Sequence, residues 1–467
     1  MEHRARLGWA LVLLLSQGCL VHERDEPDGG GAAPWVGDAD VAVSAGAAAG
    51  LVLDERWVLS DGAVGFADLD ADGLDDIVIG GTWFHDEHGG GLVVLYGRAA
   101  RLSGVLSLGR PDLVLLDDVP SVADLQMATG DFDGDGIDDV AITGYAAEPA
   151  STFRACMVRI LYGDRTRRTG TMPMTTAAAT LVPEDEPSAC YVARAGDLDG
   201  DGTDDLAVTT VRGADLRQLV VVHGRATRWS DASALVADQR VVADVIGVRS
   251  AATGAGDVDG DGHDDLLVTV VGQPARAADV HLVYGPFGAD IAVPAGPAIA
   301  SIDAIGGMIG DFDANGDGLA DFAVPRMDDS FLVFFGDRGR GTGDASSAAA
   351  MLSPPCAMPT FRPSIASGDV DGDGLGDLLF GSPGCGEGGR VDLVFGAPTT
   401  GSLAASARTW IGATVDVGGG VSWPDALGLT VALDGDFDGD GHADALFTSQ
   451  AGLERTRTVQ LAYGRAR

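Results

Sequence analysis

The chain is predicted to be all-β, a seven-bladed β-propeller of four-stranded antiparallel blades, and three observations lead there. A nine-residue acidic motif recurs seven times, at intervals of 56 to 67 residues. Each copy runs straight into an alternating apolar stretch, such as DDIVIGG or DDLLVTV, the pattern of a half-buried strand. Then, 14 to 23 residues after each closing aspartate, a second apolar stretch ends in an aromatic residue or histidine followed by glycine. A fixed period is read before anything else because it sets the architecture, and repeated four-stranded units close as a propeller with only short edges.

The elements of one repeat, in order, are strands A to D. Strand A is rich in Gly and Ala (ATGD before Phe132, ATGAGD before Val258), as the crowded innermost strand must be. The acidic motif joins A to B, and B is the apolar stretch that follows it. Strand C ends at Tyr96-Gly97, Tyr162-Gly163, His223-Gly224, Tyr284-Gly285, Phe335-Gly336, Phe395-Gly396 and Tyr463-Gly464. Strand D is a further apolar stretch such as LVLLDD (113–118) or TWIGATV (409–415). The seventh repeat stops after C, so its D strand is expected from LVLDERW (51–57), which would close the ring. A length of 467 residues alone would suggest about three domains, but the period overrides that prior and assigns 48–467 to one propeller.

The motif itself predicts metal chemistry. Positions 1, 3, 5 and 9 carry side-chain oxygens, position 6 is Gly in every copy, and position 7 varies, as expected if only its carbonyl is used. In the first copy, DLDADGLDD, the ligands are Asp68, Asp70, Asp72, Leu74 (carbonyl) and Asp76. In the second they are Asp131, Asp133, Asp135, Ile137 and Asp139. The third has Asp197, Asp199, Asp201, Thr203 and Asp205, and the fourth Asp257, Asp259, Asp261, His263 and Asp265. The fifth, DANGDGLAD, has Asp313, Asn315, Asp317, Leu319 and Asp321; Asp311 offers an alternative first ligand, but the glycine and closing aspartate fit the register from Asp313. The sixth has Asp369, Asp371, Asp373, Leu375 and Asp377, and the seventh Asp436, Asp438, Asp440, His442 and Asp444.

Calcium takes six to eight oxygens in a flexible shell, and loops of alternating aspartates around a sharp glycine turn supply them. An EF-hand opens the same way but closes with Glu at position 12 between helices, so that reading is rejected. Asp-Gly runs also make good β-turns, which would explain one isolated copy. Seven copies place 27 carboxylates at ligand positions, and their mutual repulsion makes divalent cations close to a structural requirement. Up to seven calcium ions are therefore expected.

These seven loops in register, with strands between them, resemble the FG-GAP or VCBS repeat family and are similar to the seven-bladed head of integrin α subunits. The resemblance covers nearly all of the chain. It implies a calcium-loaded propeller with metal loops on one face and ligand recognition on the other, without carrying over any ligand specificity.

The N-terminus reads MEHRAR, then LGWALVLLL, then SQGC, a basic start and an apolar run too short to span a membrane. Cys19 after Gly18 resembles a bacterial lipobox, although Leu15 sits one place early and Gln17 is unusual; simple secretion is the plainer alternative. Residues 1–19 are thus expected to be a lipoprotein-type signal and 20–47 an acidic, Gly- and Pro-rich tether. The protein is expected outside the cytoplasm, lipid-anchored at the envelope or cell surface. The other four cysteines suit an oxidising compartment, and three pairings exist. Repeat position favours Cys156–Cys190 and Cys356–Cys385, because B–C turns and D–A connections share the face opposite the acidic loops.

A net charge of -40 argues against nucleic acid or an anionic membrane surface as partner. Seven divalent ions would leave about -26. All 30 basic residues are Arg, so lysine chemistry is absent. No nucleophile elbow, phosphate-binding glycine loop or zinc spacing is found. His263 and His442 sit at position 7 and are expected to point away from the ion, and His223 to serve packing or edge surface. The unusual run FHDEHGGG (84–91) gathers His85 and His88 in the first B–C turn, where a solvated loop is the plainer reading. Trp83, Phe84, His85, Tyr145, Phe153 and Arg154 are candidates for ligand recognition on the face opposite the acidic loops. Two function classes stay open. One is a non-catalytic, calcium-dependent surface lipoprotein, monomeric, that binds a protein or glycan. The other is a carbohydrate-active lyase or hydrolase, which needs carboxylates or an Arg, His and Tyr cluster at the channel mouth.

Overall fold

A computed structural model describes residues 49–466, apart from 53–56, 84–89, 108–110, 117–124, 147–154, 178, 184–188, 213–215, 231–232, 236, 243–251, 272–276, 289, 294–298, 304–306, 327, 340–344, 357–362, 387, 407, 413, 417–421, 425 and 452–455. All of these residues belong to the compact unit Val41–Arg467. Seven antiparallel sheets follow one another along the chain and close into a ring, a seven-bladed β-propeller.

Blade 1 comprises Trp57–Ala67, Asp76–Trp83, Gly91–Leu95 and Leu113–Leu116 as strands A to D. Blade 2 comprises Met127–Gly130, Asp139–Ala146, Ala155–Leu161 and Ala179–Pro183. Blade 3 comprises Ala189–Gly196, Asp205–Arg212, Leu216–Val222 and Gln239–Val242. Blade 4 comprises Ala252–Gly256, Asp265–Val271, Ala277–Val283 and Ala300–Asp303. Blade 5 comprises Ile309–Phe312, Asp321–Pro325, Phe331–Phe334 and Ala350–Ser353. Blade 6 comprises Ser364–Gly368, Asp377–Ser382, Arg390–Val394 and Arg408–Ile411. Blade 7 comprises Val431–Gly435, Asp444–Ala451 and Thr456–Ala462, with Ala49–Val52 as its D strand. Each strand A packs on strand A of the next blade, and the seventh on the first, so the small-residue strands form the inner ring.

Three details differ from the sequence expectation. The closing strand is Ala49–Val52, pairing Leu51 with Val459, and Trp57 instead begins an eleven-residue strand A of blade 1. TWIGATV does not run as one strand. It divides after Ile411, and Thr414–Asp416 pairs separately with Ser422–Pro424. Blades 1, 2, 3, 5 and 7 also carry a fifth strand, laid parallel on D by the C–D connection of the following blade. Gly104–Ser107 pairs with Ala49–Val52 in this way, and Gly170–Pro173 with Leu113–Leu116. This covers an outer edge that would otherwise expose unpaired backbone groups.

The core is divided into seven apolar clusters, one at each blade-to-blade interface. Leu51, Phe66, Ile77, Phe437 and Leu446 seal blade 7 on blade 1, and Phe312, Phe331, Phe380 and Leu403 seal blade 5 on blade 6. Burying each such side chain stabilises the fold by about 1.5–3 kcal/mol relative to exposure. Two disulfides add cross-links, in the expected pairing. Cys156–Cys190 (Cα separation 5.7 Å) joins blade 2 to blade 3, and Cys356–Cys385 (5.6 Å) ties the connection after blade 5 to the B–C turn of blade 6. Cys156 and Cys190 lie within strands C and A rather than in connections.

Candidate metal centres

The seven acidic loops share one backbone geometry. In each, Oδ2 of position 1 accepts the N–H of the position 6 glycine at 2.7–3.0 Å. In six, Oδ1 also accepts the N–H of a position 4 glycine at 2.6–2.7 Å. The first loop has Ala71 at that place, with φ of 54°, and Oδ1 of Asp68 accepts from Asp72 N instead. Position 6 adopts φ of 77–91° in all seven copies, and a Cβ there would meet nothing within 4 Å. Glycine is required here for its backbone conformation, not for space. The fifth loop follows the register from Asp313, whose carboxylate accepts from Gly316 and Gly318.

Position 9 ties each loop to its blade. Asp76, Asp139, Asp205, Asp265, Asp321, Asp377 and Asp444 are all 0% exposed. Oδ2 of each accepts the N–H of position 2 at 2.8–3.1 Å. Oδ1 accepts the N–H of the glycine after the aromatic or histidine, at 2.8–3.0 Å. Burial pushes Asp76 and Asp139 up to about 8, and Asp265, Asp377 and Asp444 up to about 7. The neighbouring loop carboxylates add to the rise, while the backbone donors oppose it. Asp321 rises to about 6 for the same reasons, and Asp205 is raised by burial against the pull of His223.

The loops also link the blades in a circle. The position 8 N–H of each blade donates to the position 1 carbonyl of the blade before, and blade 1 completes the circuit through Asp75 N to Asp436 O at 3.0 Å. Where position 8 is Asp, its side chain returns a second bond. Asp75, Asp138, Asp204 and Asp264 accept the N–H groups of Asp436, Asp68, Asp131 and Asp197 at 2.7–3.0 Å. Arg194 of strand A in blade 3 adds a cross-ring contact, reaching Asp204 Oδ1 at 2.8 Å and Asp311 Oδ2 of blade 5 at 2.9 Å. Burial, together with carboxylate neighbours, lifts Asp75 and Asp264 to about 6.

Several of these acidic groups are arranged to hold a metal ion. Oxygens of Asp68, Asp70 and Asp72 lie within 4.8 Å of one another, as do those of Asp131, Asp133 and Asp139, of Asp197, Asp199 and Asp201, and of Asp257, Asp259 and Asp265. Asp70 Oδ1 and Asp438 Oδ1 are buried and accept no hydrogen bond from the described residues. A buried carboxylate oxygen left without a donor is costly, and an oxygen-only donor set suits a hard divalent cation. The residues present therefore fit such an ion.

Two features of the site were missed in the sequence. Arginines of the following blade reach three loops. Arg167 pairs with Asp70 and Asp72, Arg228 with Asp133 and Asp135, and Arg101 with Asp438 and Asp440. Their signal was available, since each stands five residues after the aromatic or histidine that ends strand C. His223 is not merely packing. Its Nδ1 lies 2.9 Å from Asp205 Oδ2 and 3.5 Å from Asp199 Oδ2, inside the third loop. Asp205 beside it raises the pKa of His223, so the ring carries positive charge more readily. His263 and His442 cover the position 4 glycines of the preceding loops, Gly200 and Gly372. Of the recognition candidates, Trp83 ends strand B of blade 1 and Tyr145 lies in strand B of blade 2. Phe84, His85, Phe153, Arg154 and Cys19 lie outside the described residues.

No protein-family profile and no curated protein matches the chain. Among solved structures, the V. cholerae biofilm matrix protein Bap1 is similar at 15% identity, covering 60% of this chain and 38% of that one, with a TM-score of 0.26. This chain therefore spans well under two thirds of Bap1. The exotype rhamnogalacturonan lyase YesX is similar at 14% identity (91% and 76% covered, TM-score 0.40). A fucose-specific lectin from Aleuria aurantia is similar at 11% identity (74% and 97% covered, TM-score 0.35).

Proposed function

We propose that this protein is an exported, calcium-dependent propeller of the FG-GAP or VCBS type, acting as a non-catalytic binding module for a protein or glycan. The carrying observation is the sevenfold loop geometry, in which the position 1 and position 9 carboxylates are fixed by backbone donors around clustered side-chain oxygens, joined in the third loop by His223 Nδ1. Calcium would be held by positions 1, 3, 5 and 9 and the position 7 carbonyl, and it would supply the charge that lets buried carboxylates stay ionised. Cys19 would carry a lipid anchor, with residues 20–47 as tether, placing the propeller at the envelope surface.

Binding is favoured over catalysis by how the carboxylates are used. The position 9 carboxylates are held on both oxygens by backbone donors, and Asp204, beside Arg194, accepts from Asp131 N on one oxygen and from the guanidinium on the other. A general acid or nucleophile needs an oxygen facing the substrate. Ligand recognition is assigned to the face opposite the acidic loops, where strand B of each blade ends. The test is to titrate a fragment starting near Gly37 against a panel of glycans and surface proteins, with calcium and with chelator, while assaying polysaccharides for chain cleavage. Saturable, calcium-dependent binding without cleavage supports the reading; turnover of a polysaccharide would replace it with the lyase or hydrolase alternative.

A further inference from the structure

We propose that Arg101, Arg167 and Arg228 are internal cations of the seventh, first and second acidic loops, keeping those loops folded without a divalent ion and weakening its binding there. The inference rests on the calcium reading above and divides its sites into two kinds.

Each arginine lies in the C–D connection of one blade and reaches back onto the loop of the blade before. Arg167 places Nε on Asp70 Oδ2 and Nη2 on Asp72 Oδ2. Arg101 makes the same two bonds to Asp438 and Asp440, and Arg228 to Asp133 and, at 2.7 Å, Asp135. The fork therefore takes positions 3 and 5 together, two of the loop's five donors. The position 3 side chains are 2–3% exposed, so each half-exposed arginine sets its charge against a buried carboxylate.

The guanidinium groups are held from behind as well. They stack on the aromatic rings that end strand C of the loop's own blade: Arg101 on Tyr463 at 4.7 Å, Arg167 on Tyr96 at 4.8 Å and Arg228 on Tyr162 at 4.7 Å. The tyrosine hydroxyls bond the same connections, accepting from Leu102 N and Trp229 N and donating to Arg168 O, at 2.7–2.8 Å. A planar cation held between an aromatic face and two carboxylates is fixed in place before any metal arrives. An incoming divalent ion then meets carboxylates already neutralised, beside a like charge that cannot easily withdraw.

At the same place in sequence the fourth and sixth blades carry Ala289 and Thr400, so the third and fifth loops receive no such arginine, while the fifth blade carries Arg340, which lies outside the described residues. Among the described residues, the loops neutralised in this way are consecutive around the ring, in blades 7, 1 and 2. They flank the seam where Ala49–Val52 completes blade 7. Ring closure would thus not wait for metal.

The experiment compares wild type with Arg167→Gln and Arg228→Gln, and with Arg326→Gln as control, since Arg326 pairs with Asp328 in the B–C turn of blade 5, away from the loops. All are purified in calcium, and calcium affinity is read by competition with a chelating dye, so a variant that unfolds without metal is still measured. Each loop variant is expected to gain one tight calcium site, seen as one weak site tightened about tenfold or more, with the control unchanged. Its melting temperature should fall in chelator and return to the wild-type value in saturating calcium. Unchanged or weakened calcium binding in both variants would overturn the inference while leaving the calcium reading intact. Absence of calcium binding in wild type would overturn both.

Discussion

Gly97 donates its backbone N–H to Asp76 Oδ1 at 2.8 Å, across 21 residues of sequence. The same bond joins the closing aspartate to the post-aromatic glycine in every blade. The two most regular motifs of the sequence are thus two ends of one contact, and the acidic loop is locked to strand C as well as to strands A and B.

Replacing Asp76 by Ala removes the acceptor for both Leu69 N–H and Gly97 N–H in a fully buried place. The expected loss is about 2–6 kcal/mol, since each of the two orphaned buried donors costs about 1–3. Urea unfolding in chelator measures this contact without a contribution from metal.

Gly97→Ala and Gly73→Ala should differ in size and cause. A Cβ on Gly97 would lie 2.5 Å from Leu74 Cβ and 2.9 Å from Asp75 O, whereas one on Gly73 meets nothing and is strained only by a φ of 81°. About 2–3 kcal/mol is expected for the first and about 1 for the second. Equal losses in denaturant melts would contradict the packing assigned to Gly97.

Much of this architecture was legible in the sequence because charge and period announce it. The seven loops, the aromatic-glycine ends such as Tyr162-Gly163 and the Gly- and Ala-rich inner strands all repeat in register. The closing strand was displaced to Ala49–Val52 because an apolar run, LVLDERW, does not state where it stops and the next strand begins. The parallel fifth strands, such as Gly104–Ser107, are short and carry no alternation of their own. Arg167 and Arg228 escaped notice because their partners lie 93–97 residues away, and His223 because a histidine in an aromatic position reads as packing.

The pH dependence should invert with calcium. Burial raises Asp76 and Asp139 from 3.8 to about 8 in the metal-free fold. A carboxyl with a raised folded pKa stabilises the fold at low pH and withdraws that stability as pH climbs from its unfolded value to its folded one. In chelator the melting temperature should therefore fall between pH 5 and pH 8. With calcium bound the carboxylates are held ionised, and the melting temperature should hold or rise over the same interval. Circular dichroism melts at matched ionic strength distinguish the two.

Reduction of the two disulfides should destabilise the propeller without dissolving it. Their loops span 34 and 29 residues, which corresponds to about 2–4 kcal/mol each. Mass spectrometry after alkylation confirms the reduced state, and the melt then reports the loss.

The most direct test of the central claim is thermal unfolding of the fragment starting near Gly37, in excess chelator and again after calcium is restored. A large, reversible rise in melting temperature with calcium, not reproduced by equal magnesium, is the predicted result. Identical melts in chelator and calcium would contradict it and reduce the seven acidic loops to turns held by their own backbone bonds.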